Sequence, residues 1–287
     1  MKIVLCPNPY RDRGLKATIA AERILKNAGV ETVMCLPFPV DRNGTVLPRN
    51  VEFGDAKTEL KDADMLVCFG GDGTILHAAK DASVCGVPIL GVNLGTMGFM
   101  VELEQNELSL LSKVAAGKYT VESRMMLDVA VLRDGKQVFS DLAFNDAAVT
   151  KGAIARMVEL EIYGDDVQIT GFSADGVVVS TPTGSTAYSM SAGGPIVEPT
   201  AENIIVTPIC PHALSARSFV LGRERQVSVR LKRGSRRTAY LSVDGGRAVN
   251  LAAGDVIRIK MSQVKTQLVR LTGRSFYQIL NQKLGRP

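Results

Sequence analysis

An α/β domain built on a parallel sheet, followed by a larger, mostly β domain, is the architecture that this 287-residue chain predicts. Three observations predict it. Short apolar runs alternate with helix-like stretches from Met1 to about Phe99; closely spaced β-like runs dominate after about Ala116; and the length, with 46% hydrophobic residues, exceeds one ordinary domain and can bury a sizeable core.

The elements follow in chain order. Ile3 to Cys6, Val30 to Leu36, Met65 to Phe69 and Pro88 to Val92 are short apolar runs, the second carrying Glu31 and Thr32, and they read as buried strands. Between them, Leu15 to Ala28 sets Ile19, Ile24 and Leu25 among charges, and Ile75 to Ala82 places Ile75, Ala78, Ala79 and Ala82 on one stripe, so both read as crossover helices. Pro37 to Asn50, with Pro37, Pro39, Gly44 and Pro48, has no period and reads as an exposed excursion. A helical segment near Leu103 to Ala116 precedes β runs at Met126 to Leu132, Gln137 to Leu142, Met157 to Tyr163, Gly176 to Ser180 and Gln226 to Leu231. Arg133-Asp134-Gly135-Lys136 predicts a tight hairpin, because Asp-Gly accepts the positive φ angles such turns need. Phe276, Ile279, Leu280 and Leu284 give the tail a helical apolar face that docks on a domain.

Charge and cysteine usage narrow the function classes. A net charge of +5 suits an anionic small molecule as well as nucleic acid. The five cysteines show no Cys-x-x-Cys and most lie in apolar runs, which predicts reduced, packed thiols and a cytoplasmic location. Met1 to Pro9 lacks a signal-peptide core, and no apolar stretch reaches membrane-spanning length.

The run Met65 to Phe69 ends in Gly70-Gly71-Asp72-Gly73-Thr74 before an amphipathic segment expected to start at Thr74. Glycines let backbone approach a ligand, and a helix start presents free N–H groups, so this spot suits phosphate. An aspartate there would repel bare phosphate. Its presence implies a metal, or a hydroxyl whose proton the carboxylate accepts during phosphoryl transfer, which makes Asp72 the catalytic candidate. His77 lies one turn further on the polar side of that helix.

A second unusual stretch runs from Ser180 through Thr181-Pro182-Thr183-Gly184-Ser185-Thr186-Ala187-Tyr188 to Ser191 and Gly193-Gly194-Pro195. Ser185 or Thr186 is expected to cap a short helix from Ala187 to Ala192, giving a second polar helix start. Asn145-Asp146 and Asp175 sit at strand ends, where they could bond a base edge or ribose hydroxyls.

Together these motifs resemble the NAD kinase family, in order and spacing, and Gly91 to Phe99 and Val243-Asp244-Gly245 extend the likeness over nearly the whole chain. The Gly-Gly-Asp-Gly loop alone also occurs in phosphofructokinases and lipid kinases; the Thr-Pro-Thr-Gly stretch is the specific signal. The resemblance implies transfer of the γ-phosphoryl group of ATP to the 2′-hydroxyl of the adenosine ribose of NAD. It further implies Asp72 as proton acceptor, a dinucleotide site of Asp72, Gly73, His77, Asn145, Asp146, Arg156, Asp175, Thr186, Ala187, Tyr188 and Ser191, and a phosphate side of Gly70, Gly71, Gly73 and Thr74. Mg²⁺ or another divalent cation would offset the phosphate charges, and a homo-oligomer, dimer or tetramer, is implied. Three departures stand out: Asp146 replaces the usual Glu, Ser173 an Arg common in bacterial members, and Gly246 a common Gln.

The expected architecture is thus a Rossmann-like α/β domain over 1–102, with 270–287 packing back on it, and a larger β-sandwich-like domain over 103–269. The active site is expected in the cleft where their loops meet. A rival is another kinase with the same loop, acting on a sugar phosphate or lipid. A nucleic-acid binder is suggested by Arg223, Arg225, Arg230, Lys232, Arg233, Arg236 and Arg237, but Val227, Val229 and Leu231 alternate there as in a half-exposed strand, and no tryptophan or aromatic cluster offers a stacking platform. No Walker A loop or Gly-x-Ser-x-Gly elbow occurs.

Overall fold

The structure, a computed structural model, describes residues 1–40, 47–48, 51–95, 98–152, 157–213, 216–232 and 238–285. Arg156, the basic residues Arg233, Arg236 and Arg237, and most of the 37–50 excursion lie outside the described residues. The chain forms two compact units, 1–123 with 265–287, and 124–264.

In the first unit, strands β1 (Lys2–Pro7), β2 (Glu31–Met34), β3 (Met65–Gly70) and β4 (Ile89–Asn93) are parallel in the order β4-β3-β1-β2, with registers such as Cys6↔Cys68 and Leu66↔Ile89. Every residue of β3 and β4 is buried, which is why their sequence is unbroken apolar rather than alternating. Helix α1 (Lys16–Asn27) starts where the buried Asp12 carboxylate accepts the N–H groups of Ala17 and Thr18 at 3.0 and 2.9 Å. A short helix α2 (Ala56–Glu59) precedes β3, and α3 (Asp72–Val84) follows it, starting two residues before the expected Thr74. The segment after β4 holds a two-residue strand β5 (Leu103–Glu104), a 3₁₀ turn over Gln105–Leu110 and α4 (Leu111–Ala115).

Leu103, Leu108, Leu111 and Val114 belong to the same core as Ile3, Leu5, Leu25 and Phe69. The first unit therefore extends to 123, beyond the expected boundary at 102. The two units are of similar extent, so the second is not markedly the larger.

The second unit is all β apart from short helical turns. Strands β6 (Thr120–Arg133), β7 (Lys136–Ala143), β8 (Asp146–Lys151), β9 (Val158–Gly164), β10 (Val167–Ala174), β11 (Gly176–Ser180), β12 (Asn203–Ile209), β13 (Phe219–Gly222), β14 (Val227–Leu231), β15 (Ala239–Val243), β16 (Val249–Leu251) and β17 (Val256–Arg270) make it up, with α5 (Tyr188–Ser191) after β11. One sheet runs β13-β12-β11-β8-β15-β16. Against it, β9, β10, β14 and the start of β17 present Leu160, Ile162, Phe172, Val227, Val229 and Ile257 to Val149, Val177, Val179, Ile204 and Leu241 of the first sheet. Alternation within β9 and β15 puts one face in this core, the period-two pattern of a sandwich. The β6–β7 turn has Asp134 at φ 49° and Gly135 at φ 78°, as Asp-Gly predicts.

The chain returns to the first unit in β17, whose Leu268 pairs with Ile89 of β4. Buried Glu102 accepts the N–H groups of Leu271 and Thr272 at 2.7 and 2.6 Å and so pins this return. Helix α6 (Phe276–Leu284) begins with a Ser275/Gln278 capping box and sets Phe276 against Phe99, ring centroids 5.9 Å apart. No helix among the described residues is long and apolar enough to cross a membrane.

Candidate functional site

The parallel sheet delivers the glycine loop to the carboxyl ends of its strands. Gly70 is the last residue of β3 and Gly71 caps α3, so Asp72 is the first helical residue. A Cβ on Gly70 would lie 2.2 Å from Thr74 Oγ1, which is why glycine is required there. Thr74 Oγ1 in turn accepts the Asn8 Nδ2 donor at 3.1 Å, and the Gly70 carbonyl accepts Leu94 N–H at 2.8 Å. These bonds lock the turn to the ends of β1 and β4. At the start of α3 the Gly71 carbonyl accepts the N–H groups of Thr74 at 2.9 Å and Ile75 at 3.3 Å, and beside Gly73 nothing stands within 4 Å of a Cβ position, so a phosphate can approach the first N–H groups of the helix closely.

Asp72 does not point into open solution. Its Oδ2 accepts Phe99 N–H at 2.7 Å and its Oδ1 accepts Met100 N–H at 2.9 Å, while a Cβ on Gly98 would come within 2.0 Å of Oδ1. The segment that follows β4 is thus folded onto the start of α3. A carboxylate has about four acceptor sites, so two bonds leave room for an incoming hydroxyl. His77 is exposed one turn along, its ring edge-on to Phe38 at 5.1 Å.

In the second unit the organiser is Asp244, which the sequence reading quoted but gave no role. It sits at φ 50° ahead of Gly245, and its half-buried carboxylate accepts the N–H groups of Phe144 (2.7 Å), Asn145 (2.7 Å) and Asp146 (3.0 Å). Thr181 ties the second polar stretch to the same place: its Oγ1 donates to the Phe144 carbonyl at 2.7 Å and accepts Gly184 N–H at 3.0 Å, and its own N–H donates to the Asn145 carbonyl at 2.9 Å. Buried Arg124 donates to Thr183 Oγ1 at 3.2 Å. Asn145 and the Thr-Pro-Thr-Gly turn are therefore one constellation, although 36 positions separate Asn145 from Thr181 in the sequence.

A Cβ on Gly184 would fall 2.0 Å from the Asn145 carbonyl oxygen, a backbone atom that cannot swing aside. Gly184→Ala is expected to push the 183–186 turn away from Asn145 and raise the KM of the substrate held here by about tenfold or more, through a small misplacement of binding groups. An unchanged KM would show that the contact is not needed.

Two buried acceptors in this region, Asn145 Oδ1 and Ser180 Oγ, have no partner, the condition of groups awaiting a ligand. Asp146 is 6% exposed, and burial first, then the nearby Asp244 charge, push its pKa up from 3.8 to about 7. Burial also raises Asp244, which its three backbone N–H donors partly counter. For an acid raised in the folded state, the protonated form supports the fold below about pH 4, and that support is lost as pH climbs through about 7. Asp146→Asn is accordingly expected to gain thermal stability relative to the parent between pH 4 and 7; a stability difference independent of pH would contradict this origin.

The other candidates fall less tightly together. Ser185 and Thr186 do not cap a helix: Ser185 Oγ bonds the Val197 backbone, Thr186 Oγ1 donates to the Thr183 carbonyl at 3.2 Å, and residues 183–186 form a 3₁₀ turn ahead of α5 with Ala187 between. Tyr188, at the start of α5, is 42% exposed, and Ser191 ends the helix. Asp175 pairs with Lys151 at 2.6 Å at the far end of the β8–β11 ladder, where Gly176 faces Thr150 while Ser180 faces Asp146. Five ladder steps put it about 17 Å from the Asp146 end. Gly246 borders a cavity of about 330 Å³ with Phe139, Asp141 and Arg247, space that a longer side chain would enter.

Comparison with known proteins agrees with this division. The family described as ATP-NAD kinase N-terminal domain matches residues 17–119, and that described as ATP-NAD kinase C-terminal domain matches residues 144–271. The chain is 38% identical to an NAD kinase of Acetivibrio thermocellus, covering 99% of this chain and 97% of that one. It is 44% identical to an NAD kinase of Natranaerobius thermophilus, with 98% and 96% covered. Among solved structures, a yeast NADH kinase complexed with NADH superposes with a TM-score of 0.84 at 27% identity, covering 99% of this chain and 87% of that one. An NAD kinase from Archaeoglobus fulgidus in complex with ATP gives 0.73 at 26%, with 98% and 99% covered.

Proposed function

The chain belongs to the NAD kinase family, and on that footing we propose how its residues share the ATP-dependent phosphorylation of NAD. The γ-phosphoryl group of ATP passes to the 2′-hydroxyl of the adenosine ribose, the hydroxyl proton leaves, and NADP and ADP result. Gly70, Gly71, Gly73 and Thr74 shape the turn that receives the donor phosphates, with the first N–H groups of α3 facing them. Asp72 accepts the ribose hydroxyl. The observation that carries this role is the pair of N–H bonds from Phe99 and Met100, which fixes the carboxylate beside the anion-binding turn with acceptor sites to spare. Carboxylates are weak bases for sugar alcohols, so orienting the hydroxyl and taking its proton late is the fitting role, with positioning supplying most of the rate.

Asn145 and Asp146 supply acceptors for amine and hydroxyl donors of the dinucleotide, with Thr186, Ala187, Tyr188 and Ser191 forming the adjoining wall. His77, Arg156 and Asp175 are proposed contacts of the same substrate. Asp146 is one methylene shorter than the Glu common at this position, which a water can bridge. Among the described residues no group of three or more His, Cys, Asp or Glu side chains could hold a metal, so these residues do not by themselves fit a divalent cation. Mg²⁺ is proposed to enter on the donor phosphates, where it would offset their charge. A homo-oligomeric state and a cytoplasmic location are also proposed, the latter supported by five free cysteines.

The test is NADP formation from NAD and Mg·ATP, read with an NADP-specific dehydrogenase. Phosphorylation of fructose 6-phosphate or diacylglycerol with NAD inert would replace this reading by that of a sugar-phosphate or lipid kinase.

A further inference from the structure

The strand order of the first unit reverses between β1 and β3: β2 lies on the far side of β1, and β4 on the far side of β3. In open parallel sheets the crevice at such a reversal, outside the carboxyl ends of the strands, is where ligands bind. Here it is bounded by the segment after β1, which the Asn8–Thr74 bond ties directly to the glycine loop; Asn8 Oδ1 also accepts Tyr10 N–H at 3.1 Å.

A row of aromatic rings borders this crevice. Tyr10 stacks on Phe38, which follows β2, with centroids 6.1 Å apart and planes 14° from parallel. Phe38 meets His77 of α3 edge-on at 5.1 Å, and His77 stands one turn beyond Thr74. Tyr10 is 50% exposed and Phe38 half-buried, and among the described residues neither belongs to the apolar core around Ile3, Leu5 and Phe69. Apolar rings held parallel at a ligand crevice yet outside the core have a surface to offer. A cation accompanies them: Arg11 Nη1 lies 3.8 Å from where a Cβ of Gly95, past the end of β4, would stand.

We propose that Tyr10 and Phe38 form the platform on which the nucleobase of the phosphoryl donor stacks, its phosphates running from there to Gly70–Thr74. This rests on the reading of the glycine loop as the phosphate site of a nucleoside triphosphate. Stacking on a ring face is tolerant of base identity, so the platform takes a purine triphosphate through its π surface and leaves selectivity to other contacts.

Calorimetric titration of the full chain with Mg·ATP and with magnesium tripolyphosphate, which has no base, separates the two halves of this subsite. Tyr10→Ala is expected to weaken ATP by about tenfold, within the range of one base–aromatic stack, and to shift tripolyphosphate by less than about twofold; Tyr10→Phe keeps the ring and the affinity. The KM for NAD stays near the parent value. Equal loss of both ligands, or no loss of ATP, overturns the proposal, as does a rise in the KM for NAD with ATP affinity intact, which would give the rings to the acceptor. If the parent chain bound ATP through Tyr10 but phosphorylated no NAD, the platform would stand and the proposed activity would fall.

Discussion

Asp72→Asn is expected to lower turnover by about two to four orders of magnitude, the usual size of a lost proton acceptor, while NAD still binds. The structure adds a second, smaller consequence. An amide presents one acceptor oxygen where the carboxylate presents two, so either Phe99 or Met100 loses the partner of its N–H. That is worth about 1–3 kcal/mol of local stability. The variant should fold, melt slightly earlier and bind NAD with a Kd near that of the parent. Turnover within about tenfold of the parent would remove Asp72 from the proton-accepting role.

Asp244→Ala is expected to produce the largest loss of stability. Three consecutive N–H groups, of Phe144, Asn145 and Asp146, would lose the carboxylate that satisfies them in a part-buried setting. At about 1–3 kcal/mol per unsatisfied donor, and with water repairing part of the deficit, the cost is of order 3–6 kcal/mol. That corresponds to a fall in thermal midpoint on the order of 10 °C. Alanine is also disfavoured at the positive φ of this position, whereas Asn tolerates it and keeps one acceptor, so Asp244→Asn should recover part of the loss. Because the same N–H groups set the direction of Asn145 and Asp146, the KM for NAD should rise in both variants. A midpoint within about 2 °C of the parent would mean that the turn does not depend on this carboxylate.

What could be read from the sequence, and what could not, follows the range of the interactions. Strands β1, β3 and β4 of the parallel sheet were legible because strands buried on both faces are unbroken apolar runs, while β2, with Glu31 and Thr32, is half-exposed; Asp134-Gly135 announced its hairpin because few residues accept positive φ there. The glycine loop was legible for the same reason: close approach of Gly70 to Thr74 excludes a side chain. The environment of Asp72 was not, since its N–H donors lie 27 and 28 residues downstream, and no local pattern announces them.

Asp244 shows the same limit more strongly. Its Asp-Gly dipeptide signals a turn, but the bonds that give the turn its purpose reach back 98 to 100 residues. The expected cap at Ser185 or Thr186 failed for a different reason. Hydroxyls have many available partners, and the Val197 backbone captured Ser185 while the preceding turn captured Thr186. The boundary at 102 was placed too early because Leu108, Leu111 and Val114, although outside the alternating strand-and-helix pattern, complete the apolar cover of the parallel sheet.

The most direct test follows the phosphorus. Phosphorus-31 NMR of NAD incubated with Mg·ATP should show a phosphomonoester growing on the 2′-hydroxyl of the adenosine ribose with the parent chain, and no such resonance over the same interval with Asp72→Asn at saturating NAD. Phosphate arriving on a different hydroxyl, or at the same rate in both proteins, would contradict the account of a carboxylate that delivers the ribose oxygen to the terminal phosphorus.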